Sequence, residues 1–196
     1  MIELDDSKTL FSFDKDLEPV LKVPSGETVR IRTKDCFGNQ LQGPEDQLSE
    51  IDWEAINPAT GPIYVEGAVA GGALKVHIDN IELDAQTSSC TGKGEGVCGD
   101  RFSDWATHFC KVEDGKVVWD ERLSIPLAPM IGVIGVAPEG EPVNCGTPGK
   151  HGGNMDNTAI AAGATLYFPV AVDGALFGCG DMHAAMGDGE VSVSGA

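Results

Sequence analysis

The sequence is poor in aromatic residues and in long apolar segments. Aromatic residues make up 6% of its 196 residues, whereas 26 glycines and 11 prolines are spread along the chain. This composition disfavours long helices and is typical of short strands joined by turns. No apolar run approaches the roughly 18 residues of a membrane-spanning helix. We therefore expect one mainly β domain over residues 1–196, a β-sandwich or a barrel-like, hairpin-rich structure with few short helices, and no membrane partner.

Basic residues are also scarce. Thirteen Lys and Arg stand against 31 Asp and Glu, which gives a formal net charge of -18. Such a chain repels polyanions, so nucleic acid is excluded as an expected partner. Six cysteines show no CxxC pair, which argues against a structural zinc site. The first residues lack the basic and apolar regions of a secretory signal, and we expect a cytoplasmic location with reduced thiols.

Alternating apolar and polar residues predict the strands. Four segments read as hairpins, with turns at Gly26, Gly71-Gly72, Asp114-Gly115 and Asp173-Gly174: 18–33, 63–84, 111–127 and 164–182. The apolar run MIGVIGVAPE at 130–139 predicts a buried strand. A polar stretch offers one helix over 44–55.

The segment GCGDMHAAMGDGE at 178–190 concentrates acidic groups, a histidine and glycines. Asp181 and His183 are two residues apart, as are Asp188 and Glu190, so each pair can face one side of a strand at a hairpin tip. Such a mixed set suits zinc or a similar divalent ion, while its oxygen ligands alone suit calcium or magnesium. The alternative is a solvated acidic hairpin with a chance histidine.

Two further polar loops contain groups that can join this set. The loop 139–158 contains His151, Asn154 and Asp156, and its length is typical of functional or disordered loops. Asp35 lies in a third loop, next to Cys36. Convergence of the three loops on one end of the sheet would strengthen the metal-site hypothesis.

Two other motifs carry alternative hypotheses. GEGVCG at 94–99 matches the GxGxxG pattern of dinucleotide-binding loops, but a polar segment precedes it and a poor helix follows, which disfavours a nucleotide site. The Cys36 thiol, beside a carboxylate in a polar turn, can be a nucleophile in amide hydrolysis, although no base is visible near it.

Five motifs in order resemble the acetamidase/formamidase family: KDCFGNQ, NPATGPIYVEGA, PMIGVIGVAPE, GKHGGNMDN and GDMHAAMGDGE. The resemblance implies a β-rich hydrolase, usually a homo-oligomer, that cleaves short aliphatic amides such as formamide or acetamide to the carboxylic acid and ammonia. Family members continue with further strands beyond the last motif. The alternation of EVSVSGA at 190–196 adds to this, and we expect that a C-terminal portion is lacking here.

The resemblance also implies where the site lies. The polar positions of its motifs fall on Asp35, Asn57, His151, Asn154, Asp156, Asp181, His183, Asp188 and Glu190.

We expect a divalent metal, zinc as the first choice and calcium as the second, to activate water and polarise the amide carbonyl. Asp35, Asp181 and His183 are the expected ligands, with Asp156 as a fourth. Glu190 is the expected general base.

Asn154 is the expected oxyanion donor, and His151 and Asp188 complete the expected catalytic group. The rival hypotheses are a thiol amidase that uses Cys36 and a noncatalytic β-domain that binds a metal or small ligand.

Overall fold

A computed structural model describes residues 1–191 and 193–196, and it is mainly β. Within these residues the helices are short 3-10 turns, at Leu48–Glu50, Trp53–Ala55, Gly99–Arg101 and Asp188–Glu190. None of these described helices is long and apolar enough to cross a membrane. The predicted mainly β fold class with few short helices is thus confirmed.

The strands are numbered in chain order. They are β1 (Ile2–Leu4), β2 (Thr9–Leu10), β3 (Ser12–Phe13), β4 (Leu21–Pro24), β5 (Val29–Ile31), β6 (Ala59–Glu66), β7 (Ala73–His77), β8 (Gln86–Thr91), β9 (Ala106–Glu113), β10 (Lys116–Val118), β11 (Ser124–Pro126), β12 (Met130–Gly135), β13 (Val143–Asn144), β14 (Gly152–Asn154), β15 (Thr165–Pro169) and β16 (Phe177–His183).

A six-stranded sheet forms the centre of the molecule. Its order is β14-β12-β16-β6-β2, and β4 adds to β6 in parallel. A four-stranded antiparallel sheet has the order β11-β10-β9-β8, and the remaining strands pair as β1-β5, β3-β13 and β7-β15. The central sheet therefore joins strands from both ends of the sequence.

The predicted hairpin at Asp114-Gly115 is present. Glu113 of β9 lies opposite Lys116 of β10, and both turn residues have positive φ, 51° and 73°. This is the geometry of a two-residue type I′ turn, which matches the twist of the flanking strands.

The other three predicted hairpins are wrong, although strands occur in each segment. β4 pairs with β6 and β5 with β1, so the chain around Gly26 turns without pairing its two sides. β6 is flanked by β16 on one side and by β2 and β4 on the other, which leaves no edge for β7. β7 pairs instead with β15, while β16 inserts between β12 and β6.

Three further local predictions need correction. The helix expected over 44–55 is reduced to the two 3-10 turns at Leu48–Glu50 and Trp53–Ala55, and the Asp52 side chain caps the second by accepting from the Glu54 amide at 3.0 Å. GEGVCG does follow a strand, β8, but only a 3-10 turn follows it. The strand expected at 190–196 includes Ser192, which lies outside the described residues, and its described neighbours form no strand.

The buried strand predicted at 130–139 is confirmed as β12, in which all six residues are buried. Ile131 and Ile134 pack in the main hydrophobic cluster, and Val133 packs with Phe13 and Leu10 in a second one. β12 therefore has protein on both faces and carries the core between β14 and β16.

Close packing of β16 on β6 generates a stability prediction. A Cβ at Gly180 would lie 2.1 Å from the Pro58 carbonyl oxygen, whereas a Cβ at the exposed Gly140 would meet nothing within 4 Å. We expect Gly180→Ala to lower the free energy of unfolding by at least about 2 kcal/mol and Gly140→Ala to change it by less than about 0.5 kcal/mol. Urea denaturation of both variants measures the difference, and equal midpoints would contradict this packing.

Candidate metal and active site

The end of β16 carries the first two site residues. Met130 lies opposite His183 and Val133 opposite Gly180, so Asp181 and His183 stand at the buried centre of the sheet. Their exposed fractions are 2% and 4%. The His183 Nε2 and Asp181 Oδ1 atoms are 3.9 Å apart. The expectation that residues two apart on a strand share a side holds for this pair.

Asp156 joins them from the segment after β14. The Met155 amide donates to the Gly132 carbonyl oxygen at 2.9 Å, and the Gly189 amide donates to the Asp156 carbonyl oxygen at 2.9 Å. Asp156, Asp181 and His183 each offer a ligand atom, and these atoms lie within 4.8 Å of one another. Segments distant in sequence therefore meet at one point, as the hypothesis expects of the loop that contains Asp156, whereas Asp35 of the third loop is not among these ligand atoms.

Gly132 of β12 provides the space for the two carboxylates. A Cβ at this position would lie 2.7 Å from Asp181 Oδ2 and 2.8 Å from Asp156 Oδ1. Glycine inside a strand marks a close approach of other groups. Sequence reasoning did not select Gly132, although its place inside the apolar run MIGVIG is the signal that could have found it.

Several buried polar atoms in and around the site have no hydrogen-bond partner in the described part of the chain. They are Asp156 Oδ1, Asp181 Oδ1, His183 Nδ1, Asn154 Oδ1 and His151 Nε2. Buried polar groups are normally satisfied, so such a concentration needs an explanation, and a bound ion is one. One imidazole and two carboxylates are ligands that zinc accepts, and one ligand atom from each residue lies within 4.8 Å of the other two. The donor set fits a divalent metal.

The buried acidic groups raise one another's pKa values. Burial raises the pKa of Asp181 to about 7, and the nearby Glu190, Asp156 and Asp35 charges act in the same direction against His183. Burial and Glu190 likewise raise the pKa of Asp156. Burial by itself lowers the pKa of His183, but its hydrogen bond to Glu190 and the surrounding carboxylates outweigh this and raise it. These groups favour a proton or another cation among them.

Three acidic residues of the site have backbone conformations that L-amino acids rarely adopt. The φ angles of Asp156, Asp181 and Glu190 are 40°, 54° and 46°. A positive φ is uncommon outside glycine and costs about 1–3 kcal/mol where it is strained. Such residues persist only where the surroundings hold them, and they concentrate at functional sites.

Glu190 lies where the buried group meets solvent. Its Oε1 is 3.0 Å from His183 Nε2 and accepts a hydrogen bond from the Gly195 amide at 2.6 Å. Its side chain is 17% exposed, against 5% for that of His183. Gly195, which sequence reasoning also missed, lies so close that a Cβ there would be 2.4 Å from the His183 ring.

Asp188 binds Thr158 and makes no direct contact with His183 among the described hydrogen bonds and ion pairs. Asp188 and Glu190 lie in a 3-10 turn, where the alternation of a strand does not apply. The Asp188 carboxylate accepts from the Thr158 amide at 2.9 Å and from the Thr158 hydroxyl at 2.7 Å, and these bonds lower its pKa. It anchors the turn that carries Glu190.

Asp35 lies outside the three-residue group. Its Oδ1 accepts a hydrogen bond from the Asn39 amide at 2.7 Å, and burial raises its pKa. Its charge nevertheless contributes to the raised pKa of Asp181, which places it in the neighbourhood. Asn57 has a φ of 49°, and its backbone amide donates to the Cys36 carbonyl oxygen at 2.7 Å. This bond fixes the turn that holds Asp35.

His151 and Asn154 lie beside different residues of β12, the strand that pairs with β14. Gly132 faces the carboxylates, whereas Gly135 faces His151: a Cβ at Gly135 would lie 2.7 Å from the His151 carbonyl oxygen. The His151 ring packs edge-on against Phe13 at 5.3 Å between centroids, and burial lowers its pKa. It is not brought into the acidic group. The Asn154 side chain does reach the group, since its hydrogen bond lowers the pKa of Asp156.

The Cys36 thiol adjoins the acidic group and is unfavourably placed as a nucleophile. Burial raises its pKa well above the ordinary value, and the charges of Asp181, Asp35 and Glu190 raise it further. A reactive thiol needs the opposite, an electropositive environment that lowers its pKa.

Known proteins have a similar fold and a similar sequence. An acetamidase from Bacillus halodurans, known from a crystal structure, is 47% identical with a TM-score of 0.96, over 100% of this chain and 66% of that one. The crystal structure of a predicted acetamidase/formamidase from Thermoanaerobacter tengcongensis is 52% identical with a TM-score of 0.96, over 99% of this chain and 64% of that one.

A formamidase from Methylophilus methylotrophus is 24% identical over 241 residues, which cover 92% of this chain and 59% of that protein. The chain thus spans about three fifths of the length of this curated relative. The model of the acetamidase/formamidase family matches residues 3–145 and 141–196. With the expected motifs, the β architecture and this match over nearly its whole length, the chain belongs to the acetamidase/formamidase family.

Proposed function

We propose that this protein hydrolyses short aliphatic amides, such as formamide and acetamide, to the carboxylic acid and ammonia, with a divalent metal held by Asp156, Asp181 and His183. The observation that carries the proposal is the set of unpartnered buried donor atoms on these three residues. The names of the relatives, an acetamidase and a formamidase, supply the reaction class.

Zinc is the first choice of ion and calcium the second, because one donor is an imidazole nitrogen. A divalent ion supplies Lewis acidity, which polarises a carbonyl and lowers the pKa of water. Both carboxylates are buried, where the dielectric constant is lower than in water. Gly132 leaves the space that keeps both of them close to the imidazole.

Glu190 is the general base of the proposal. Its carboxylate is the most exposed acidic group in direct contact with His183, so it can reach both the buried group and an incoming substrate. It takes a proton from the attacking water and gives it to the amide nitrogen as the C–N bond breaks. The Gly195 amide and His183 Nε2 hold Oε1, which leaves Oε2 for this transfer.

The remaining polar residues position these groups. Asn154 lies close enough to the Asp156 carboxylate to lower its pKa, and we assign it a positioning role there, while its expected oxyanion contact stays a prediction. Asp188 anchors the Glu190 turn through Thr158, and Asp35 adds negative charge at the edge of the site.

Assembly and location belong to the same proposal. Homo-oligomeric assembly follows from the family resemblance, and a cytoplasmic location fits the free cysteines of the chain. The net charge of -18 disfavours nucleic acid and anionic lipid surfaces as partners.

Ammonia release tests the function directly. We expect the purified protein to release ammonia from formamide and acetamide, to lose this activity on dialysis against EDTA and to regain it with zinc, because the donor set requires a cation. Metal content before and after dialysis is measured in parallel. Activity that survives complete metal removal contradicts the metal proposal, and absence of activity at full metal occupancy contradicts amide hydrolysis.

The role of Glu190 yields a sharper prediction. We expect Glu190→Gln to retain its fold and its bound zinc but to lose at least about 100-fold in kcat, because the glutamine side chain cannot accept the proton from water. Glu113→Gln, in the β9–β10 hairpin, is the matched control and should behave as the wild type. A Glu190→Gln protein with wild-type kcat would remove Glu190 from the mechanism.

The thiol alternative makes the opposite prediction for alkylation. Since its raised pKa keeps Cys36 protonated near neutral pH, we expect iodoacetamide at pH 7.5 to modify the exposed Cys98 well before Cys36. Peptide mass spectrometry follows both sites. In a Cys98→Ser protein the same treatment should leave ammonia release unchanged, whereas rapid inactivation with label on Cys36 would favour the thiol amidase.

A further inference from the structure

A cleft of about 350 Å³ opens directly beside Glu190. Its lining includes Val97, Met186, Asp188, Val191 and Ser194. Glu190 also contacts His183, so the cleft adjoins the acidic group on its Glu190 side. A substrate that reaches Glu190 through this opening must pass its apolar walls.

Val97 reaches the cleft from the GEGVCG segment, which the site described above does not use. The Gly94 amide donates to the Gly99 carbonyl oxygen at 3.0 Å, so the loop is closed at its base. A Cβ at Gly99 would lie 2.6 Å from the Gly94 carbonyl carbon, which only glycine permits. The spacing of these glycines thus closes a loop whose tip is Val97.

The exposed valines at this opening have no evident structural role. Val97 is 75% exposed and Val191 is 63% exposed, on two segments far apart in sequence. Single exposed apolar residues need no explanation, but apolar groups from separate segments that converge on one cleft are typical of a ligand-binding wall.

The charge of the cleft restricts its ligands further. The bonds from Thr158 favour the charged form of the Asp188 carboxylate, which lines the cleft with Glu190. These groups repel an anionic substrate. The cleft volume of about 350 Å³ leaves room beside Glu190 for an acyl chain longer than that of acetamide.

We propose that the loop 92–99 is a specificity loop, in which Val97 sets the acyl-chain length accepted, and that Asp188 and Glu190 exclude chains that end in a carboxylate. This inference rests on the proposed amide hydrolysis and adds the residues that determine its specificity. The acyl chain lies between Val97 and Val191, with the amide group toward Glu190.

The test compares the kcat/KM ratio for butyramide over formamide. We expect Val97→Phe to lower this ratio about tenfold or more by filling the cleft, and Val97→Ala to raise it, because one methylene in an apolar pocket changes kcat/KM about 10- to 200-fold. Formamide turnover is the internal check that each variant is folded. Val69→Phe, at another exposed valine in the turn after β6, should keep the wild-type ratio.

Succinamic acid, which carries a carboxylate at the end of a similar chain, should be a far poorer substrate than butyramide. An unchanged ratio in both Val97 variants, or equal turnover of butyramide and succinamate, would overturn the inference while leaving amide hydrolysis intact. If the wild type releases no ammonia from any amide at full metal occupancy, the proposed function fails separately. Saturation-transfer NMR with butyramide then tests the cleft: weaker binding to Val97→Phe supports it, and equal binding overturns it.

Discussion

Burial of carboxylate charge is the constraint on which the rest of this structure depends. Asp156 and Asp181 lie against each other beside His183, and no Lys or Arg is paired with them in the described part of the chain. Removing ionised carboxylates from water costs several kcal/mol each unless they are paired or bind a metal. In a chain of net charge -18 the surrounding field makes this burial harder. Among the described residues, His183 is the side chain placed to offset this negative charge.

The local structure follows from this constraint. Gly132 has no side chain because two carboxylates occupy its space, and Gly195 has none because the His183 ring does. Asp156, Asp181 and Glu190 depart from ordinary backbone conformations so that their side chains can converge. The Ala196 carbonyl oxygen accepts from the Ala184 amide at 2.5 Å, which brings the segment 194–196 over the end of β16. Hydrogen bonds along the backbone thus hold a geometry that side-chain charges oppose.

Sequence patterns predicted which residues of a strand are buried better than they predicted which strand lies next to it. The apolar run 130–139 identified β12, and Asp114-Gly115 identified the turn between β9 and β10. The spacing of Asp181 and His183 identified the side of β16 that they share. Alternation records which face of a strand is buried, but every vacant edge accepts a backbone, so pairing depends on the whole fold. The misassigned hairpins all involve strands whose edges are filled by distant segments.

The candidate site shows the same limit at the level of single residues. The resemblance selected Asp181, His183, Asp156 and Glu190, which the structure brings together. It also selected Asp188, whose placement in a 3-10 turn directs it to Thr158. No local pattern records such a change of direction. Gly132 and Val97 act through the space that they leave or fill, which a search for polar motifs does not detect.

The central position of β16 has a consequence for biosynthesis. This strand lies between β12 and β6, yet it is the last strand in the described chain to emerge from the ribosome. Until residues 177–183 are available, β12 and β6 each expose an edge that another chain can pair with. High contact order slows folding of such sheets. The nascent chain is thus prone to aggregation until β16 pairs, and that pairing also brings Asp181 and His183 into place.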